Sequence, residues 1–409
     1  MKILVLTMWY PYDENPLLGT FVEEQVRAIA ALGQEIRVVQ PLPSAPFPLS
    51  RFSRRYRLIA GAPATESRHG IPVYHPRYLT LPRHICYEQA GRWMYLGARR
   101  TLDAIRHAWH FDVIHAHETF PPGFVANRYR DDDAPNVRVV QTIHGTSIRD
   151  APTYNRRCFD RVGESLRKAD ARCFVSAEGR MRAGTLYGRW ASESSDYVTN
   201  GVNPEKFALA PADRGAVEDL ARRYPRAEAL NLLFVGNLLP AKGVLELLEA
   251  TRRLLASDGP RVRLLLVGPN YMQKEIRRFV DGAGIADSVE VVGPVPHSSV
   301  KHWMSFCDIF ILPSHFEGVP TVLFEALYLG KPSVFTRVGG IPNVITESEA
   351  MLIEPRSVDT IVKAVSVLLA DPDLRARLAS NGQRLIAREY TWQRNAQRMV
   401  QVYERVLAR

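Results

Sequence analysis

Apolar residues recur in short continuous runs along the first half of the chain, and polar, helix-patterned stretches separate them. "KILVLT" is such a run, and "GTFVEEQVRAIAALG" after it has the three-to-four spacing of an amphipathic helix ending at Gly33. "EIRVVQP", "FDVIHAH", "VRVVQTIHG" and "ARCFVSA" follow as further strands. After "YVTNGVNPEKF" the pattern restarts with "LNLLFVGNL", "VRLLLVG", "VEVVG", "DIFILPS", "PSVFT" and "AMLIEP", which alternate with helices such as "KGVLELLEATRRLLA" and "TVLFEALYLG". Continuous apolar strands between amphipathic helices predict parallel sheets covered on both faces. Two rounds of the pattern predict two doubly wound α/β domains, 1–195 and 196–385. "LIAREYTWQRNAQRMVQVYERVL" reads as one long closing helix, placed at 386–409.

The 409-residue length agrees with two cores. The apolar run near the N-terminus is only Ile3 to Leu6, with no small-residue cleavage site after it, so it reads as a strand and not as a secretion signal. No stretch approaches the roughly 18 apolar residues of a membrane span. The cysteines at 86, 158, 173 and 307 form no CxxC pair, which fits a reducing cytoplasm and argues against a zinc site or a disulfide framework. The net charge of +10 is local. Residues 51–106 hold 11 arginines against 3 acids, interleaved with Trp93, Met94 and Tyr95. Such a block fits an anionic membrane surface, with those three residues entering the headgroup layer; a solvated arginine-rich face is the plainer alternative. No nucleic-acid-binding motif accompanies it.

Ligands of open α/β sheets bind at the carboxyl ends of the strands. His117 and Glu118 follow "VIHAH", His144 follows "VVQTI", and Asn237 and Lys242 follow "LLFVG". After "FILPS" comes "HFEGVPTVLFEALYLG", with Glu317 and Glu325 seven residues apart in between. Gly318 and Pro320 suit a turn into a helix, Pro320 at its first position. The exposed N–H groups of Val319, Thr321 and Val322 would then form an anion site. Two carboxylates beside a bound diphosphate could accept hydrogen bonds from sugar hydroxyls. A single glutamate there would need no ligand, since it favours a helix N-terminus electrostatically. The pair after a buried strand points to a polyol phosphate.

"HFEGVPTVLFEALYLGKPSV" resembles the Glu-x7-Glu signature of the glycosyl transferases group 1 family, of GT-B fold. "FVGNLLPAKGVLELLEA", "TNGVNPEKF", "GGIPNVI" and "PLLGTFVEEQVRAIAALG" resemble other segments of that family, in family order. The resemblance implies two facing Rossmann-like domains, a deep interdomain cleft, and closure of the domains to exclude water. It implies a retaining, metal-independent transfer of a sugar from UDP- or GDP-sugar to a saccharide acceptor. By position, Glu317 would hold donor-sugar hydroxyls, Glu325 the ribose and Lys242 the diphosphate. Gly19 would let the first loop approach the donor, His117 would lie beside the sugar, and His144 would occupy a nearby position. Gly318, Val319, Pro320, Thr321 and Val322 would frame the phosphate. Many family members carry arginine where this chain has Asn237. Lys242 and the helix N-terminus could suffice, Arg337 could substitute, or the donor could bind weakly.

A basic first domain fits an acceptor on a lipid carrier, as in polysaccharide or glycolipid synthesis at the inner face of the plasma membrane. A UDP-sugar 2-epimerase-like enzyme and an inactive binding scaffold are the alternatives. "DDD" at 131–133 reads as a surface loop and not a metal site. His115 and His117 share one face of a strand, without an evident third ligand. The absence of GxxxxGK[ST] and GxGxxG argues against a phosphate-loop enzyme and a dehydrogenase.

Overall fold

The computed structural model describes residues 1–16, 18–44, 54–81 and 85–409, the side chains of 54–56 and 151–152 excepted. The chain divides into two units, one of residues 1–200 with 392–409 and one of residues 201–391.

The first unit holds β1 (Lys2–Leu6), β2 (Glu35–Val39), β3 (Leu42–Pro43), β4 (Thr65–Arg68), β5 (Ile71–Tyr74), β6 (Arg77–Tyr78), β7 (Val113–His117), β8 (Arg138–Ile143), β9 (Ala171–Phe174) and β10 (Asp196–Tyr197). Eight of these form one sheet in the order β10-β9-β8-β7-β1-β2-β5-β4, while β3 pairs with β6. All neighbours in the large sheet are parallel except β4 and β5, a tight hairpin that the apolar pattern did not reveal. Its residues "TESR" are largely polar, so neither strand periodicity nor apolarity marked it. On one face, Val22, Val26 and Ile29 of the helix Thr20–Ala31 pack with Ala396, Met399, Val402 and Val406 of the final helix. Each such side chain contributes about 1.5–3 kcal/mol when fully buried. Gln25 Nε2 donates to Asn395 Oδ1 at 2.7 Å inside this interface, which fixes its register. On the opposite face, Met94, Ala98, Leu102 and Ile105 of the helix Ala90–Ala108 cover Leu4, Leu6 and Ile114.

The second unit holds β11 (Leu230–Val235), β12 (Val262–Val267), β13 (Val289–Gly293), β14 (Ile309–Leu312), β15 (Ser333–Thr336) and β16 (Met351–Ile353), in the order β13-β12-β11-β14-β15-β16. Every neighbouring pair is parallel. The order runs outward from β11 in both directions, so the chain reverses its winding between β11 and β14. In the first unit the corresponding reversal lies between β1 and β7.

Three sequence expectations need correction. The closing helix is two helices, Pro372–Glu389 and Trp392–Leu407. Between them Val202 N donates to Tyr390 O at 2.9 Å, and Val202 forms a parallel bridge with Thr391. Non-helical backbone at 390–391 interrupts a polar–apolar pattern that is helical on both sides, so periodicity alone carried the helix through. Pro320 is the residue before the helix Thr321–Tyr328 and not its first helical residue. Asp131, Asp132 and Asp133 end the helix Phe124–Asp133 and do not lie in a loop. Arg130 and Lys168 hold Asp131, Arg128 holds Asp132 and Arg99 holds Asp133, which accounts for the acidic run.

Candidate functional site

Two groups of side chains stand at the strand-order reversals, one in each unit. In the second unit, β11 ends at Val235 and the chain turns through Gly236 and Asn237 toward the helix Val244–Leu255. Gly243 enters that helix at φ +70°, and a Cβ there would lie 2.1 Å from Pro313 O. Only glycine combines this left-handed conformation with so close a backbone. The contact ties the β11 loop to the β14 loop, as does His315 N donating to Ala241 O at 2.9 Å. Lys242 is thereby brought to Glu317, with Nζ to Oε1 at 2.5 Å. Ser314 Oγ donates to the same oxygen at 2.7 Å. Glu317 and Ser314 are buried, whereas the Lys242 side chain retains partial exposure. A buried carboxylate with one ammonium and one hydroxyl is a satisfied but rearrangeable group.

A third loop braces this one. Gly340 N donates to Gly318 O at 2.6 Å, and Gly339 stands at φ +59° with its missing Cβ 1.8 Å from Glu317 O. The glycine pair of "GGIPN" thus serves the position of Glu317. Next to it the helix Thr321–Tyr328 begins without a side-chain cap. Its first N–H groups, at Thr321 and Val322, are those that an anion at this end would meet. Glu325 lies one turn inside that helix and is buried. His297 Nε2 lies 3.2 Å from Glu325 Oε1, while Oε2 is buried without a hydrogen-bond partner among the described residues. An unpaired buried carboxylate oxygen costs about 1–3 kcal/mol, a cost that a ligand hydroxyl would relieve. Asn237 is exposed at the mouth of this group. Arg337 does not turn toward it: its guanidinium is paired with Glu347 and lies 3.6 Å from Glu354.

In the first unit the reversal brings together Gly19, His117 and His144. Gly19 opens the helix Thr20–Ala31 at φ +66°, and a Cβ there would fall 2.4 Å from the carbonyl carbon of Trp9. Glycine at 19 therefore lets the loop from Trp9 fold back on the helix. His117 Nδ1 lies 3.0 Å from His144 Nε2, so one of these nitrogens donates to the other. The two rings are nearly parallel, and His144 also packs against Trp9 and Phe21. His117 Nε2 is buried with no partner among the described residues. His115, two residues earlier, is closed off: Thr142 Oγ1 meets Nε2 at 2.7 Å and the Tyr403 hydroxyl meets Nδ1 at 2.8 Å. Burial pushes the His115 imidazole down to about 3, with the nearby His144 adding to it. Burial also lowers His144 to about 3 and holds His117 well below its ordinary value. These three rings are neutral hydrogen-bonding groups at neutral pH.

Glu118, which follows β7 beside His117, stands at φ +80° and accepts from Thr146 N, Thr146 Oγ1 and Ser147 N at 2.7–3.1 Å, at the start of the helix Thr146–Arg149. Two contributors were not singled out from the sequence. Ser314 and His297 support the two glutamates of the second unit. Ser314 could have been found as the last small polar residue after a buried strand, but His297 lies 28 residues before Glu325 with no local signal. Among the described residues, no group of three or more His, Cys, Asp and Glu side chains is arranged to hold a metal.

The basic block requires a correction. Residues 51–53 and 82–84 lie outside the described residues. Met94 and Tyr95 are buried in the first unit, and Trp93 packs against the same core. The apolar side chains exposed in this region are Leu79, Leu81, Ile85 and Leu96, with Leu79 at 61% and Leu96 at 63%. The aromatic residues belong to the inner stripe of the helix Ala90–Ala108, a position that counting aromatics among arginines does not disclose.

Two family models match the chain, Glycosyltransferase Family 4 over residues 18–206 and Glycosyl transferases group 1 over residues 221–385. A Bacillus subtilis protein named as a teichuronic acid biosynthesis glycosyltransferase is 28% identical over 408 residues, 99% of each chain. A GDP-mannose-dependent alpha-(1-6)-phosphatidylinositol monomannoside mannosyltransferase of Mycobacterium tuberculosis is 27% identical over 62% of this chain and 66% of its own. Among solved structures, Anabaena HepE in complex with UDP superposes with a TM-score of 0.74 at 18% identity, over 99% of this chain and 100% of that one.

Proposed function

The chain belongs to the glycosyl transferases group 1 family, glycosyltransferases of GT-B fold, and on that premise we propose that it transfers a hexose-type sugar from UDP- or GDP-sugar to a saccharide acceptor with retention of anomeric configuration. The observation that carries this reading is the cluster of Lys242, Glu317 and Ser314 at the reversal point between β11 and β14, beside the uncapped helix that holds Glu325. Ligands of doubly wound sheets gather at such points.

In this reading the donor diphosphate takes Lys242 and the N–H groups of Val319, Thr321 and Val322, which frees Glu317 for sugar hydroxyls. Glu325 Oε2 gains a ribose hydroxyl. As the glycosidic bond to the diphosphate breaks, negative charge grows on the leaving oxygen, and the same ammonium and backbone dipoles stabilise it without a resident metal. In this reading donor hydroxyls engage both Glu317 and Glu325, so neither is assigned the part of a covalent nucleophile. Attack of the acceptor hydroxyl on the face vacated by the leaving group, with the departing phosphate oxygen taking its proton, is the step this arrangement favours. His117, neutral and with Nε2 open, serves the transferred sugar as a hydrogen-bonding group.

The acceptor is proposed to be lipid-linked and met at the cytoplasmic membrane face. The exposed Leu79, Leu81, Ile85 and Leu96 and the arginines at 92, 99 and 100 on the helix that carries Leu96 support this, as does the phosphatidylinositol-linked substrate in the name of one relative. No helix among the described residues is long and apolar enough to cross a membrane. The deciding experiment incubates the protein with UDP- and GDP-hexoses and candidate acceptors, and reads the anomeric configuration of the product by NMR. An inverted product, or interconversion of the donor sugar without transfer, would overturn the reading.

A further inference from the structure

On the flank of the first unit, β2, β5 and the helix Ala90–Ala108 enclose an open recess of about 400 Å³. It is lined by Arg37 and Arg100, by the hydroxyl-bearing Thr65 and Thr101, and by small residues such as Ala104. No aspartate or glutamate lines it. Among the described residues neither arginine has a carboxylate partner. Arg37 reaches only the Tyr74 hydroxyl, at 3.4 Å, while its guanidinium lies over the Trp109 ring at 4.7 Å. Stacking fixes the plane of the guanidinium and leaves edge N–H groups to bind elsewhere.

Two unneutralised guanidiniums and two hydroxyls on one concave surface are donors that a tetrahedral oxyanion takes. The recess is larger than a bare anion needs, and its small apolar floor leaves room for a short carbon body.

We propose that this recess binds a phosphate ester, its phosphoryl group between Arg37 and Arg100. The recess shares no lining residue with the His117 and His144 group, which follows β7 and β8, nor with the Lys242 and Glu317 group of the second unit. Trp109, over which Arg37 lies, donates to Glu35 at the amino end of β2. The site is therefore not the donor diphosphate site, and the inference does not rest on the proposed reaction. The same phosphate chemistry is available in a soluble phosphomonoester or in a phospholipid headgroup. Arg100 lies one helical turn from the exposed Leu96, which makes a headgroup reachable.

The test titrates the full-length protein with glycerol 3-phosphate by calorimetry, and with phosphatidylglycerol and phosphatidylcholine vesicles by flotation. Arg37→Gln and Arg100→Gln are compared with Arg182→Gln, which removes the same charge from an exposed position on the helix Ala177–Tyr187, outside the recess and outside the proposed docking surface. UDP and GDP binding, measured alongside, reports that each variant is folded. Saturable binding of the free ester that falls roughly tenfold in both recess variants and not in Arg182→Gln establishes the site with a soluble ligand. Selective loss of phosphatidylglycerol binding in the same two variants establishes it with a lipid headgroup. Equal weakening by Arg182→Gln and the two recess variants, an unchanged affinity in Arg37→Gln, or no saturable binding of either probe below about 10 mM phosphate, overturns the proposal.

Discussion

Lys242 Nζ and Glu317 Oε1 lie 2.5 Å apart, so the lysine proposed for the donor diphosphate and the glutamate proposed for its sugar hold each other when no donor is bound. The pair joins the loop after β11 to the loop after β14, which are also locked together through Gly243 and Pro313. Donor binding must exchange this contact for two others, one at each residue.

That exchange sets the consequences of removing either partner. Lys242→Ala should lower kcat/KM roughly 10²–10³-fold, the scale of one transition-state donor. It should also cost about 1–3 kcal/mol of stability, because Glu317 is left buried with Ser314 alone. Adding Glu317→Gln to Lys242→Ala should restore most of the stability and none of the activity. Steady-state kinetics with chemical denaturation of the three variants checks both parts. Turnover within a few-fold of the unaltered protein in Lys242→Ala would make Lys242 a lysine of the helix surface.

A second consequence concerns a glycine that touches no proposed ligand. A Cβ at Gly339 would stand 1.8 Å from Glu317 O, and φ there is +59°. Gly339→Ala should displace the loop carrying Glu317 and Gly318 and weaken nucleotide-sugar binding, with a stability loss of about 1–3 kcal/mol from the strained backbone alone. Gly33→Ala is the control, since its φ is +81° but nothing lies within 4 Å of the added atom. It should show the strain and keep donor affinity. Equal loss of affinity in both variants would detach Gly339 from the site.

The buried histidines of the first unit make its stability depend on pH in a defined direction. His115 is lowered from 6.5 to about 3 by burial. Below 6.5 the unfolded chain takes up a proton that the native state refuses, so its stabilising contribution is complete above 6.5 and is lost as pH falls toward 3. The slope is at most about 1.4 kcal/mol per pH unit for this one residue. His115→Gln should flatten the loss between neutral pH and pH about 5 by up to roughly 2 kcal/mol, read from hydrogen exchange of the β7 amides. An unchanged pH dependence would place the acid sensitivity elsewhere.

The sequence disclosed those parts of the molecule that are locally encoded. Buried parallel strands such as "FDVIHAH" and "LNLLFVGNL" announce themselves by unbroken apolarity, and the residues after them fall at the strand ends. Glu317, Glu325, Lys242, His117 and His144 could therefore be picked out before their neighbours were known. What stayed hidden depends on partners distant in the chain. The pairing of His297 with Glu325, the bracing of Glu317 by Gly339, and the closure of His115 by Tyr403 span 28, 22 and 288 residues. The end of the helix at Glu389 was hidden for the same reason, because the backbone that interrupts it pairs with Val202.

The membrane reading now rests on different residues from those the composition indicated. Met94 and Tyr95 are interior, so substitutions there test the core and not docking. Gly97 brings the helix Ala90–Ala108 against Arg77 and Tyr78, where its Cβ would lie 2.4 Å from Arg77 O. Leu79, one residue beyond Tyr78, and Leu96 therefore emerge from one junction, with Leu81 and Ile85 exposed along the connecting segment. Arg92, Arg99 and Arg100 are exposed on the same helix. Each arginine near an anionic surface adds on the order of 1 kcal/mol, enough in sum for reversible attachment but sensitive to salt. The leucines would add a contribution that salt does not screen. Flotation with anionic liposomes should therefore fall at high salt yet leave a residual bound fraction. Leu79→Ser with Leu96→Ser should abolish that residue while nucleotide binding persists. Arg92→Gln with Arg99→Gln should instead weaken binding mainly at low salt. Flotation unchanged by the leucine pair at every salt concentration would end the case for insertion and leave a solvated basic face.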